Sequence, residues 1–266
     1  MRMISCLSAV VLTLLLIGCA GIRTAPSPEV RQALAPTGKL RVGVYPGSPT
    51  SMLRDPKSGE TRGVSVDLGK ELAKRLGVPY EQVEYRGIAE VIEGLKSGAA
   101  DFTLSNATPA RAKDVDFTQP LLSIELGYLV PPGSALSTVA DIDRAGSRVG
   151  VTQGSTSQST LPGQLKNAAV VPAPTLNAAV EMLSQGKLEA FATNKAILFE
   201  MAESLPGSRV LDGRWGVEHL AIAIPKGRDQ GMSYMRKFVE DANSQGLVTR
   251  AAERAGLRGT VKAESR

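Results

Sequence analysis

The chain has 266 residues, 42% of them hydrophobic and 21% charged, an ordinary globular composition with enough apolar mass for one large domain or two small ones. Its formal charge is +5 and its sequence pI near 9.3, but basic residues alternate with acidic ones, as in Lys70-Glu71 and Glu253-Arg254, and form no stripe with stacking aromatics. That distribution excludes a nucleic-acid surface and describes solvated helix faces.

Residues 1–18 read as an export signal, with Arg2, an apolar run from Leu7 to Ile17 and the ending Leu16-Ile17-Gly18 before Cys19. The run is too short to span a bilayer comfortably. Its ending resembles the bacterial lipobox, which implies that Cys19 is acylated, becomes the mature N-terminus and anchors the protein in the periplasm of a Gram-negative cell. Ala20 rather than Asp follows, so nothing marks retention at the inner membrane. Cys6 leaves with the signal, and no disulfide is then possible within the mature chain. Residues 19–37, rich in Pro, Ala, Thr and Ser, are expected to form a tether.

The folded body begins at Gly38. Leu40, Val42 and Val44 alternate as a strand, and Val64, Leu68, Leu72 and Leu76 recur in i, i+4 steps as a helix that stops at Gly77. The sequence YEQVEY from Tyr80 is the next strand, and Ile88, Val91, Ile92 and Leu95 mark a helix closed by Gly98. Strand and helix keep alternating through RVGVT, AVVPA and LEAFAT, which predicts an α/β fold of mostly parallel sheets. Glu93–Asn106 can also be laid without gaps on Glu181–Asn194. Both segments read helix, Gly stop, strand, Asn, so the echo points to two similar α/β lobes with a polar residue at the C-terminal edge of each sheet, where open α/β sheets bind ligands.

Thr108-Pro109-Ala110-Arg111 carries the signs of a helix start, with Thr as N-cap and Pro at the first helical position. Free backbone N–H groups and the planar guanidinium of Arg111 would together make a carboxylate socket; the competing partner for Arg111 is Asp114 or a surface acid. Gly154-Ser155-Thr156, after the strand RVGVT, reads either as an anion nest with hydroxyls or as a plain polar loop.

TPARAKDVDFTQPLL, taken with VGVTQGSTS and GKLEAFATN, resembles the family 3 extracellular solute-binding proteins, the receptors of polar amino acid ABC importers. The resemblance runs from about Gly38 to Leu257. It implies a type II periplasmic binding fold, with lobe 1 formed by residues 38–127 and 220–257, lobe 2 by 128–219, and a polar tail at 258–266. Hinge strands are expected at Gly127–Val130 and His219–Pro225. By resemblance, Arg111 grips the ligand α-carboxylate with Thr108 beside it, and Gly154, Ser155 and Thr156 bond the same carboxylate from lobe 2. The partners implied are a small carboxylate or amino-acid-like ligand and an ABC permease, with no cofactor, no metal and a monomeric state.

The departures concern the ligand. Asn194, next to Lys195, stands where amino acid receptors of this family place an Asp for the α-ammonium, so the ligand is expected to lack a charged α-nitrogen unless another carboxylate has taken over that role. Asn106 stands where a Gly is common, and Tyr45 and Tyr85 are the only aromatic candidates for the pocket wall. A periplasmic dehydratase-like enzyme on the same fold is the alternative. Against it stand the absence of a Ser-His-Asp or metal spacing, the single histidine His219 at a hinge, and the mid-strand places of Asp101 and Glu189, which point them away from the cleft. A ligand-sensing lipoprotein without a transporter is the third reading.

Overall fold

The computed structural model describes residues 25–261. Cys19 and the export signal, together with residues 262–266 of the tail, lie outside the described residues. Helix α1 (Pro28–Leu34) is capped by Ser27, whose Oγ accepts from Val30 N. Leu34 and Ala35 are buried, and Leu34 packs at Gly231 of a long C-terminal helix. The tether expected over residues 19–37 is corrected here, because residues 28–35 are a docked part of the body.

Next come β1 (Leu40–Val44), β2 (Leu53–Arg54), β3 (Thr61–Arg62), α2 (Val64–Leu76), β4 (Tyr80–Glu84), α3 (Ile88–Lys96) and β5 (Thr103–Asn106). Helix α2 ends where the pattern stops, at Gly77 in the left-handed region with φ 70°. Strands β1 and β4 pair in parallel, and β1 reaches the start of β5 through a parallel Val42–Phe102 bridge. A 16-residue strand, β6 (Val115–Val130), then leads into β7 (Arg148–Thr152), α4 (Thr156–Thr160), β8 (Ala169–Ala173), α5 (Leu176–Ser184), β9 (Ala190–Asn194), α6 (Lys195–Ser204), β10 (Arg209–Val210) and β11 (Gly216–Pro225). Helices α7 (Asp229–Ser244) and α8 (Leu247–Arg254) and a short β12 (Thr260–Val261) complete the chain.

The strand order β5-β11-β6-β9-β7-β8 is continuous. Strands β6 and β11 pair antiparallel along their length, with register shifts at Leu220–Ala223, and so join a β4-β1-β5 layer to a β8-β7-β9 layer. Of the two segments expected as hinges, Gly127–Val130 is thus the end of the 16-residue β6, and His219–Pro225 makes up most of β11. β12 adds a third strand at the same place, pairing with Ser123 and Ile124 of β6, so residues 260–261 of the expected polar tail belong to the sheet.

The tetrapeptide Arg-Val-Gly-Val occurs in both layers, at 41–44 and at 148–151. Each copy is tied to the helix–strand echo in the same way. Arg41 N and its guanidinium donate to Asp101, at 2.7–2.9 Å, and Arg148 N and its guanidinium donate to Glu189, at 2.6–3.0 Å. These carboxylates are fasteners at the N-terminal ends of the strands, away from the cleft. One apolar cluster gathers around Val42, Leu68, Phe102 and Phe238, and another around Tyr128, Val149 and Ala192. A third spans the edge of the cleft, joining Tyr45, Ile88 and Val91 to Leu176, Leu183 and Phe191. Side chains of the two layers are therefore in direct contact, and the cleft is closed.

Candidate ligand-binding site

Because the parallel strands of both layers end at the cleft, the residues at their C-terminal ends meet there. Tyr45 follows the first Arg-Val-Gly-Val and Thr152 the second; Asn106 ends β5 and Asn194 ends β9. All four line one cavity, together with Arg111, Ser155, Thr156 and Glu218.

Arg111 reaches the cavity from a turn shorter than the sequence implied. The segment after Pro109 is a three-residue 3₁₀ turn, Arg111–Lys113, with Ala110 rather than Thr108 in the capping position. Thr108 Oγ1 still accepts from Arg111 N at 3.3 Å, but so short a turn carries little dipole, and the anion preference rests on the guanidinium. Nη1 donates to Ser105 Oγ at 2.8 Å and Nη2 to the Gly154 carbonyl at 3.2 Å, which holds the fork between the layers with donors to spare. Asp114, the competing partner, pairs instead with Lys96. Burial lowers the Arg111 pKa, opposed by the negative charge of Glu218.

Asn106 and Gly154 make the contacts across the cleft. Asn106 Nδ2 donates to Thr156 Oγ1 at 3.2 Å, while its Oδ1 accepts from His219 N at 3.0 Å. Gly154 adopts φ 70°, and a Cβ on it would lie 2.5 Å from Ala89 Cβ, so only glycine permits this approach. Ser155 caps α4, accepting from Gln158 N, and Thr156 opens it. The helix has five residues, so the hydroxyls and the nearby Arg111, rather than a helix dipole, give this wall its character.

Asn194 is committed elsewhere than the sequence suggested. Its Oδ1 caps α6 by accepting from Ile197 N at 3.0 Å, and its Nδ2 donates to Glu218 Oε1 at 2.7 Å. Lys195 turns away and donates to Glu125 at 2.6 Å. The negative group of the cavity is Glu218, on β11. It is 7% exposed, and burial pushes its pKa up to about 7 against the pull of Arg111 and the Asn194 hydrogen bond.

Residues 40–256 match the bacterial extracellular solute-binding proteins, family 3. The chain belongs to that family. It is 30% identical over 245 residues to a probable histidine-binding protein of Campylobacter jejuni, covering 88% of this chain and 90% of that one. It is 27% identical over 200 residues to the ABC transporter glutamine-binding protein GlnH of Bacillus subtilis, covering 74% of this chain and 73% of that protein. Among solved structures it resembles the ancestral amino acid-binding protein AncCDT-1, a precursor of cyclohexadienyl dehydratase. The TM-score is 0.71 and the identity 26%, over 82% of this chain and 95% of that one. The fold is the two-lobed α/β architecture of the type II periplasmic amino acid-binding proteins.

Within this family 3 chain, the expected site residues divide. Arg111, Asn106, Ser155, Thr156, Asn194 and Tyr45 line the cavity; Gly154 contributes its carbonyl to Arg111. Thr108 supports the turn from outside. Tyr85 lies elsewhere, its ring 3.4 Å from the place of a Cβ on Gly43 and its hydroxyl buried beside Gly94 with no partner. Tyr45 is held by its own N–H, which donates to Ser51 Oγ at 2.8 Å, and by a hydroxyl contact with Ser48. Among the described residues no group of three or more His, Cys, Asp or Glu is arranged for a metal ion, and no helix is long and apolar enough to cross a membrane.

Glu218 escaped the sequence reading, although a signal was present. In GVEHLAIAIP it shares one face of the strand with Leu220, Ile222 and Ile224. A carboxylate on an otherwise apolar strand face is either paired or functional.

Proposed function

We propose that the protein is a receptor that captures a small carboxylate-bearing ligand of the amino-acid class between its lobes and delivers it to an ABC importer. The observation that carries this reading is the Arg111 guanidinium, fixed by Ser105 and by Gly154 across the cleft and lining a closed polar cavity. Residues 38–127 and 220–257 move as one lobe and 128–219 as the other. The work of the protein is closure about β6 and β11, and acylation of Cys19 ties the monomer to the membrane. The relatives named for histidine and glutamine support the ligand class. A thermal-shift screen of amino acids and organic acids tests the reading. A ligand at 100 times its dissociation constant stabilises by about 2.7 kcal/mol, and a screen in which no carboxylate raises the melting temperature overturns it. For the anchor, Cys19→Ser releases soluble protein or leaves the precursor unprocessed; a free, unmodified Cys19 inside a longer exported chain refutes acylation.

One observation favours a second reading. A carboxylic acid with a pKa near 7 beside a carboxylate-binding Arg is a competent general acid, and AncCDT-1 is described as a dehydratase precursor. In that reading Arg111 holds one substrate carboxylate and Glu218 protonates the departing hydroxyl to water, while the C–C bond to the ring carboxylate breaks, CO2 leaves and the electron pair of that bond completes the aromatic ring. Incubation with a cyclohexadienyl acid such as prephenate decides it, since turnover no faster than buffer leaves the receptor alone.

A further inference from the structure

The cavity holds one cationic side chain and one acidic one, and they are not paired with each other. Arg111 enters from the turn after β5, and Glu218 from the hinge strand β11. No ion pair within 4 Å joins them, although each feels the other's charge. The only hydrogen bond to the Glu218 carboxylate among the described residues comes from Asn194 Nδ2. Asn194 Oδ1 already accepts from the first turn of α6, which leaves it at most one lone pair and no charge to offer a cation.

We propose that Glu218 is the ammonium-recognition group of this pocket, so that the ligand is an α-amino acid zwitterion spanning Arg111 and Glu218, and that its capture expels a proton to solvent. The inference rests on the receptor reading and narrows its ligand. Asn194 serves as a positioning residue, aiming the carboxylate of Glu218 while capping α6. This reverses the expectation from sequence that the ligand lacks a charged α-nitrogen.

The surroundings explain the proton. The groups near Glu218 are Arg111 from the turn, Tyr45 from the end of β1 and the neutral Asn194 from β9. Lys195 of α6 is drawn off to Glu125 on β6, and His219, next along β11, is exposed and bonded to Ser123 of β6. Arg111 alone does not offset the desolvation of the carboxylate, which therefore keeps its proton up to about pH 7 when the pocket is empty. An ammonium group supplies the missing positive charge, and the carboxyl gives up its proton as the ligand seats.

Calorimetry of the full mature protein with the standard L-amino acids and their 2-hydroxy acid counterparts, at pH 7 in two buffers of different ionisation enthalpy, tests this directly. The best amino acid is expected to release about half a proton per site and to bind about tenfold more tightly at pH 8 than at pH 6. Its 2-hydroxy counterpart should bind more weakly and release none. Glu218→Gln should weaken amino acid binding and flatten its pH dependence, and the proton count on the unaltered protein stands even if that variant does not fold. Amino acid binding without proton release, or a hydroxy acid bound as tightly as the amino acid, overturns the assignment while leaving a carboxylate receptor in place. Binding of neither class overturns the receptor reading and this inference with it.

Discussion

Asn194 Nδ2 lies 2.7 Å from Glu218 Oε1, a bond between the end of β9 and β11 that fixes the one acidic side chain of the cavity. The carboxyl it holds has a pKa of about 7 in the folded protein against an ordinary value of 4.5. Between those values the folded state keeps a proton that the unfolded chain has released, so the contribution of Glu218 to stability is full below about pH 4.5, falls as pH rises to about 7, and stays low above it. The loss amounts to about 3 kcal/mol. Glu218→Gln, which has no charge to bury, should therefore be more stable than the unaltered protein by about that amount at pH 8 and nearly equal to it at pH 4. Urea denaturation without ligand at both pH values checks this; an equal difference at the two would remove the buried charge as its cause.

Arg111→Ala is expected to cost about 2 to 5 kcal/mol of ligand binding, the range for deleting one partner of a desolvated charge pair. That is about 30-fold to several thousandfold in dissociation constant. A folded variant that loses less than threefold by calorimetry would deny Arg111 its place as the anchor.

The proposed closure is expected to depend on Gly154. Its carbonyl accepts from Arg111, and a methyl group there would meet Ala89 at 2.5 Å. Gly154→Ala should hold the lobes apart, giving a larger radius of gyration in ligand-free solution scattering and weaker binding in proportion to the lost closed population. Superimposable scattering profiles for the two proteins would show that this contact does not limit closure. The unaltered protein should contract on ligand addition to the extent that its free form is open.

The sequence made some of this legible because the relevant causes are local. The stop of α2 at Gly77 and the alternation of strands and helices follow from periodicity and a single left-handed residue. Arg111 stands out through a motif, and it lines the cavity. What sequence could not show is long range. Thr108-Pro109 announces a turn but not that the chain re-enters a strand right after the three-residue turn Arg111–Lys113, and alternation around Gly127–Val130 does not reveal that β6 begins at Val115. The Glu218 partner of Asn194 is invisible to local pattern because it lies 24 residues away on another strand. Lys195 stands beside Asn194 in the sequence, but its charge is taken by Glu125 of β6, a partner that sequence proximity does not show.

The echo between the two lobes supplies the last test, because it places equivalent ion pairs in different surroundings. Asp101 is fully buried and receives Arg41 from β1 and Arg228 from the segment before α7, at 2.7 and 2.8 Å. Both arginines are themselves largely buried. Glu189 receives Arg148 at 2.6 Å, with more than a third of each side chain exposed. Removing the charge of Asp101 leaves two guanidinium groups uncompensated in a poorly solvated place, and Asp101→Asn should cost about 3 to 5 kcal/mol. Glu189→Gln keeps the backbone acceptor role for Arg148 N and exposes the unpaired guanidinium to water, so its cost should stay within about 1 kcal/mol. The repeated Arg-Val-Gly-Val unit would then owe its fastening to burial in the first lobe and to little more than hydrogen bonding in the second. Denaturant midpoints for the two variants, measured at one pH and salt concentration, decide between this and a pair of equivalent structural bonds, which would give equal losses.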